Sequence, residues 1–328
     1  MCKIKTNIIY PFFIPHEGCP FRCIFCDQNK ITTQPITSVL RKIFSKPARS
    51  LAFNRKKKII SFIKKHSDNY KEIAFYGGTF TLLKKKKMQE YFNTIKPFID
   101  DKTFFRISTR PDAISEDILW FLKKNRVNTI ELGIQSFSDK ELYTSKRRYN
   151  SQIAQKGCYL VKSFGFNLAV QLMVGLPSAN EETYFLSMKI LKEIQPQFVR
   201  LYPLVILKDT ILEKMYLLKK YQPLSIEQAA KICVLFLEVC NQNSINLLKI
   251  GIHSDISKAS IAAGPFYENF GELVYGLQFA ESIKYKLDNI DELIVSEKTF
   301  SQLCAYNKYP MSILLNRKKD LKIIIRKN

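Results

Sequence analysis

Apolar residues arrive along this chain in two rhythms. Short, nearly continuous runs read as strands: "NIIYPFFI" (7–14), "EIAFYGG" (72–78), "TFFRIST" (103–109), "NTIELGIQS" (128–136), "FNLAVQLMVG" (166–175) and "QFVRLYPLV" (197–205). Between them apolar positions recur every three to four residues over 51–66, 84–95, 115–125, 150–164, 181–194 and 225–242, which predicts helices. Ser115 stands where an N-cap belongs, and Ser225 with Gln228 forms a capping box. Near-continuous apolar strands alternating with helices predict an α/β fold, a parallel sheet covered by helices. Six such units point to an open or partial barrel rather than a flat sheet. Beyond residue 245 the rhythm changes to "LLKIGIHS", a loop-like "AAGPFYENFGELV" and a lysine-rich tail. This predicts a core at 1–245 and a C-terminal extension at 246–328 packed on it. In such folds functional groups gather at the C-terminal ends of the strands. The polar motifs fall there: the cysteines of 19–26, then Gly77-Gly78-Thr79, 108–112, Gln135 with 146–148, and 171–177.

Length and composition narrow the class. A chain of 328 residues, 46% apolar, can bury a full-sized core. No run of roughly 18 apolar residues exists, so no membrane helix is predicted. The start, "MCKIKTNIIYPFFIP", is cut by Pro11 and Pro15 and lacks a small-residue cleavage site. It reads as a buried first strand rather than an export signal, which predicts a cytoplasmic protein. In that reducing setting clustered thiols suggest metal or redox chemistry rather than disulfides. The net charge of +23 predicts polyanionic or acidic partners, although lysines also serve merely to solvate a surface.

The sharpest motif is "GCPFRCIFCDQ" (18–28). Offsets of four and three residues let one loop turn the thiols of Cys19, Cys23 and Cys26 toward a common point. A structural zinc wants four closed ligands, and His16 is a candidate for the fourth. The loop is also crowded with Pro15, Pro20, Phe21, Ile24 and Phe25, which suits a buried soft cluster. Three cysteines on a four-iron cubane leave one iron open for a substrate or cofactor.

C-x3-C-x2-C with an aromatic before the last cysteine resembles the radical S-adenosylmethionine (SAM) superfamily. "FYGGTF" resembles that superfamily's second-strand glycine motif. "ELGIQSF" and "QLMVGLP" resemble the branch with the Elongator catalytic subunit and oxygen-independent coproporphyrinogen oxidase. The resemblance covers roughly the first 250 residues. It implies a partial (β/α)6 TIM-like barrel, a [4Fe–4S] cluster on Cys19, Cys23 and Cys26, and SAM on the open iron. It further implies Phe25 near the adenine, and Gly77, Gly78 and Thr79 at the SAM amino end. Ser108 and Arg110 would lie near the methionine moiety, Gln135 and Gln171 at ribose or adenine, and Arg147 at the SAM carboxylate. The enzyme so implied makes a 5′-deoxyadenosyl radical that takes hydrogen from a substrate.

Three positions depart from the family pattern. Thr79 stands where Glu is usual, Arg147-Arg148-Tyr149 where relatives read Arg-Gly-His, and Gln171 where they carry Asp. The chain is too short for the acetyltransferase domain of the Elongator subunit, so acetyl transfer is not expected. An anionic substrate is, with transfer RNA ahead of a tetrapyrrole or other carboxylated metabolite. Lysines 84–87 and the basic residues 146–148 follow strands, and Tyr76, Phe80 and Tyr149 are candidates to stack on exposed bases. A flavodoxin or ferredoxin is the expected electron donor. The alternative is a non-catalytic RNA-binding protein holding zinc on the three cysteines and His16. Cys233 and Cys240 share a helix face with Phe236 and Leu237 and read as core. Cys2, Cys158 and Cys304 show no ligand spacing, and His66 and His253 stand alone.

Overall fold

The computed structural model describes residues 8–14, 16–31, 49–252 and 256–326. Cys2, Pro15 and His253 lie outside them. Six parallel strands follow one another in chain order: β1 (Ile9–Phe13), β2 (Lys71–Tyr76), β3 (Thr103–Thr109), β4 (Val127–Gln135), β5 (Asn167–Val174) and β6 (Phe198–Pro203). A short β7 (Ile206–Leu207) leaves this sheet, and β8 (Asn246–Ile250) returns to pair with β6 as a seventh parallel strand. The partial barrel thus has seven strands where the apolar runs indicated six. The seventh was hidden because "NLLKI" is a half-buried edge strand with only Ile250 fully covered.

Parallel neighbours need crossovers, and helices supply them. Lys85–Ile95, Glu116–Lys124, Ser151–Ser163, Glu181–Ile194 and Ile226–Gln242 pack on the sheet's outer face. Alternate strand residues Phe75, Ile107, Leu132, Val170 and Leu201 meet them there, all inaccessible to solvent. The caps read from the sequence are formed: Ser115 accepts from the Ile118 amide, and Ser225 and Gln228 make a capping box.

The sheet is curled. Arg200 on β6 donates to the Tyr76 hydroxyl on β2 at 2.8 Å. In a flat sheet those strands, four spacings apart, would stand about 19 Å from each other. β1 and β8 are the two edges and do not pair, so the barrel stays open.

Over the C-terminal ends of the strands, β7 pairs antiparallel with β9 (Ile261–Ala263). Ile206, Leu204 and Leu212 bury against Ile24 of the cysteine loop there. The helix Phe270–Ile283 joins Phe270, Leu273 and Leu277 to the main core. Its Ala280 belongs instead to a smaller core with Leu287, Val295, Leu303, Leu314 and Leu321. That core underlies a parallel pair, β10 (Glu292–Ser296) and β11 (Lys322–Arg326). Among the described residues no helix is long and apolar enough to cross a membrane.

Candidate active site

The cysteine loop is fastened to the loop after β2 by main-chain contacts. Ile14 donates to the Tyr76 carbonyl at 2.7 Å, His16 to that of Gly77 at 2.8 Å, and Thr79 to that of Glu17 at 2.8 Å. Two glycines let these backbones touch. A Cβ on Gly18 would stand 2.2 Å from the Thr79 carbonyl oxygen, and one on Gly78 2.3 Å from that of Glu17. Gly78 is therefore required by this docking. Gly77 has φ +88°, which favours glycine for its own backbone. The Thr79 hydroxyl ends 3.3 Å from the Cys19 sulfur.

On its far side the loop is held by Ile24, whose carbonyl accepts from the Leu212 amide at 2.9 Å. Phe25 packs into the same apolar group and faces the cavity. Phe21 is flanked by two guanidiniums, Arg110 at 4.4 Å and Arg148 at 4.5 Å from the ring centre. Burial, with the Cys23 thiol beside it, pushes the Cys26 thiol up to about 12. Bound metal inverts that preference, because a coordinating thiol is deprotonated.

The donor set fits an iron–sulfur cubane better than a single ion. Among the described residues no three His, Cys, Asp or Glu side chains converge closely enough to hold one metal ion. Cubane ligands each hold a separate iron and stand wider apart. His16 Nε2 accepts the Gln28 amide at 3.0 Å, so that nitrogen is committed to the loop and not offered to the thiols.

One cavity at the C-terminal rim is lined by all twelve residues expected to hold the cluster or SAM: Cys19, Cys23, Cys26, Phe25, Gly77, Gly78, Thr79, Ser108, Arg110, Gln135, Arg147 and Gln171. Arg110 grips Asp112 with two bonds, 2.9 and 2.8 Å, and donates to the Arg147 carbonyl at 2.6 Å. Gln135 ends β4 at a bulge, with φ +73°. Its amide oxygen accepts from Gln171 at 2.8 Å, which leaves its own N–H2 for another partner. Arg147 is aimed by the end of the helix Asp139–Thr144. Lys146 takes the left-handed turn that closes the helix, with its amide on Tyr143 and that of Arg147 on Leu142.

Tyr76 also lines this cavity, together with three residues that no sequence motif indicates, Glu131, Arg200 and Tyr202. They form one network on the barrel's inner face. Arg200 Nε lies 3.0 Å from Glu131 Oε2, and Tyr76 donates to the same oxygen at 3.3 Å. Burial pushes both Tyr76 and Tyr202 above the ordinary tyrosine range, so both stay neutral. Deeper still, Arg106 pairs with Glu72 at 2.8 Å, both inaccessible to solvent. The available signal was a lone charge in four of the six apolar runs: Glu72, Arg106, Glu131 and Arg200. At period two these occupy the inner face.

The expected base-stacking aromatics do not face solvent. Phe80 is wholly buried and stacks on Phe75, Tyr76 belongs to the inner network, and Tyr149 hydrogen-bonds the ends of β4. Lys84, Lys85 and Lys86 are exposed, with Lys85 on Asp117 at 2.6 Å. Cys158, Cys233 and Cys240 are buried free thiols away from this cavity, and Cys304 is half-buried in the smaller core. His66 packs against Phe62.

Comparison with known proteins bears on this geometry. The family model described as "Radical SAM superfamily" matches residues 13–188, and "Radical_SAM C-terminal domain" matches 196–276. An uncharacterized protein of Methanocaldococcus jannaschii is 27% identical over 72% of this chain and 73% of its own. The tRNA uridine(34) acetyltransferase of the same organism is 28% identical over 55% of this chain, and the heme chaperone HemW of Bacillus subtilis 25% identical over 59%. The chain spans only 33% of that acetyltransferase and 50% of that chaperone. In fold it is similar to the archaeal Elp3 of Methanocaldococcus infernus, with a TM-score of 0.61 and 22% identity over 73% of this chain and 61% of that one.

Proposed function

The chain belongs to the radical SAM superfamily, and on that premise we propose that it takes a hydrogen atom from an anionic substrate, a transfer RNA ahead of a tetrapyrrole or other carboxylated metabolite. Enzymes of this family use a [4Fe–4S] cluster and SAM, which together supply a 5′-deoxyadenosyl radical. In this reading Cys19, Cys23 and Cys26 hold the cluster. Phe25 covers the adenine, Gly77, Gly78 and Thr79 offer main-chain groups, and Ser108 and Arg110 flank the methionine moiety. Gln135 and Gln171 bind ribose or adenine through the free faces of their paired amides. Arg147 carries the charge next to the carboxylate. The apolar cover of Leu204, Ile206 and Ile24 keeps water from the reacting atoms. The supporting observation is that three thiols and all these side chains line one cavity at the strand ends.

The substrate choice rests on charge and on likeness. Arg22, Lys146 and Arg148 are exposed around the cysteine loop, and Lys84–Lys86 on the helix behind it. The printed name of the acetyltransferase relative points to tRNA, and that of the heme chaperone to the tetrapyrrole alternative. The protein would work in a reducing, cytoplasmic setting with a flavodoxin or ferredoxin as donor. The boundary expected at 245 falls one strand too early, because β8 (Asn246–Ile250) belongs to the barrel; an extension packed on that core would begin after it. The test is binding of bulk tRNA at about 50 and about 200 mM salt, for wild type and for a variant with Lys84, Lys85 and Lys86 changed to Gln. Phosphate contacts predict affinity that falls with salt and falls again in the variant. No binding even at the lower salt would transfer the proposal to the metabolite.

A further inference from the structure

Arg147 is only 5% exposed, and among the described residues no carboxylate pairs with it. A buried guanidinium without a counter-ion is costly, so its neighbours matter. Nε donates to the Tyr149 hydroxyl at 3.0 Å, and Nη2 to the same oxygen at 2.9 Å and to the Gly133 carbonyl. Nη1 donates to the Cys23 sulfur at 3.0 Å. Tyr149 is not the missing anion: burial raises its pKa, and its hydroxyl lies 2.9 Å from the carbonyls of both Gly133 and Ile134. Carbonyls and a neutral phenol solvate the cation without neutralising it. The remaining neighbour able to carry negative charge is the sulfur of Cys23.

The positioning is built in. The left-handed Lys146 turns Arg147 inward at the helix end, and the Tyr149 hydroxyl holds the Nε–Nη2 edge of the guanidinium. Arg148, also left-handed at φ +60°, turns outward onto Phe21 of the cysteine loop. The loop and the arginine are thus fixed to each other from both sides.

We propose that Arg147 is the counter-charge of the cluster, donating an N–H···S hydrogen bond to Cys23 and thereby raising the cluster's reduction potential. The inference rests on the reading that Cys19, Cys23 and Cys26 hold a [4Fe–4S] cluster. Hydrogen bonds to cluster sulfurs and local charge are two of the terms that set such potentials. A cation beside the ligand stabilises the reduced, more negative form. Arg147 then eases electron uptake from a donor and tunes the site without touching the substrate. Four of its five N–H donors are spent on Tyr149, Gly133 and Cys23, which leaves one, on Nη1, for a SAM carboxylate.

The test is the midpoint potential of the reconstituted cluster, followed by electron paramagnetic resonance without SAM, in wild type, Arg147→Met and Arg147→Lys. SAM affinity is measured beside it. The expected result for Arg147→Met is a lower midpoint, with the reduction equilibrium reduced about tenfold, about 59 mV for a one-electron couple. Arg147→Lys, which keeps charge but not the fork, should fall between. An unchanged midpoint in Arg147→Met overturns the proposal, and an unchanged midpoint with weakened SAM binding assigns Arg147 to the carboxylate instead. If both variants lose the cluster, the wild type itself decides. Electron–nuclear double resonance in H2O against D2O must show an exchangeable proton close to the reduced cluster, and its absence overturns the proposal. A wild type that takes up no cluster overturns both this inference and the reading beneath it.

Discussion

Gly18 and Gly78 carry as much of the site as the cysteines do, because they let the two loops share main-chain contacts. A methyl group on Gly78 has only backbone to meet, and backbone gives way poorly. Gly78→Ala should cost about 2–3 kcal/mol, as overpacking does. Gly165→Ala is the control. Its φ is +79° but nothing lies within 4 Å of the added carbon, so it should cost only the left-handed strain, about 1 kcal/mol. Urea unfolding midpoints separate the two, and an equal loss would show that the contact at Gly78 relaxes freely. At the same scale, Ala at Cys19, Cys23 or Cys26 should abolish the cluster and all SAM cleavage. Ala at Cys158, Cys233 or Cys240 should leave iron content unchanged. Loss of iron from a folded Cys233→Ala protein would refute a single cluster.

At the scale of elements, the strands were readable because their outer halves are apolar. Phe75, Ile107, Ile130, Val170 and Leu201 face helices and give each run its hydrophobic signature. Their inner halves were not readable as a network. Arg106 meets Glu72 and Glu131 from neighbouring strands, but Arg200 reaches Tyr76 only because the sheet curls, and curl leaves no local mark on a strand's sequence. Arg147 was readable as a site residue from its motif, but its hold on Cys23 depends on a helix end closed by Lys146 rather than glycine. β8 was missed because an edge strand buries too little to show its rhythm.

The sheet's lower rim offers an independent test. Lys71, at the start of β2, is wholly buried and bonds Asp100 at 2.7 Å. Burial alone would raise the Asp100 pKa. The Lys71 ammonium, the Thr103 hydroxyl and the Lys102 amide outweigh it and hold the carboxyl below its ordinary value. Asp100→Asn should therefore destabilise the protein at pH 7 by about 1.5 kcal/mol, the low end for a charged hydrogen bond because Asp100 is itself partly exposed. With the folded pKa below the unfolded one, this stabilisation is complete above about pH 4 and fades as pH falls through the folded value. Wild type and variant should then converge in acid. A gap that persists unchanged at pH 3 would mean that the carboxylate's charge is not what Lys71 uses.

Over the whole molecule, the net charge of +23 acts on anything that must reach the cavity. Many of the lysines only solvate, but Arg22, Lys146 and Arg148 are exposed beside the loop that carries the thiols. Among the described residues no carboxylate pairs with these three. An acidic flavodoxin or ferredoxin approaching this rim is drawn by the summed field and by these local charges together, so its encounter rate should be high at low salt. Screening shortens the reach of that field, and the cluster's reduction rate should drop steeply between roughly 50 and 300 mM salt. Reduced methyl viologen, a small cation, should show no such drop. Changing Lys146 and Arg148 to Gln should lower the carrier's rate at low salt and flatten its salt dependence, with the viologen rate unchanged. A carrier rate indifferent to both salt and these substitutions would leave the basic rim to the nucleic acid alone. The same variants would then be expected to lose tRNA affinity instead, because each phosphate contact removed takes its share of the salt dependence with it.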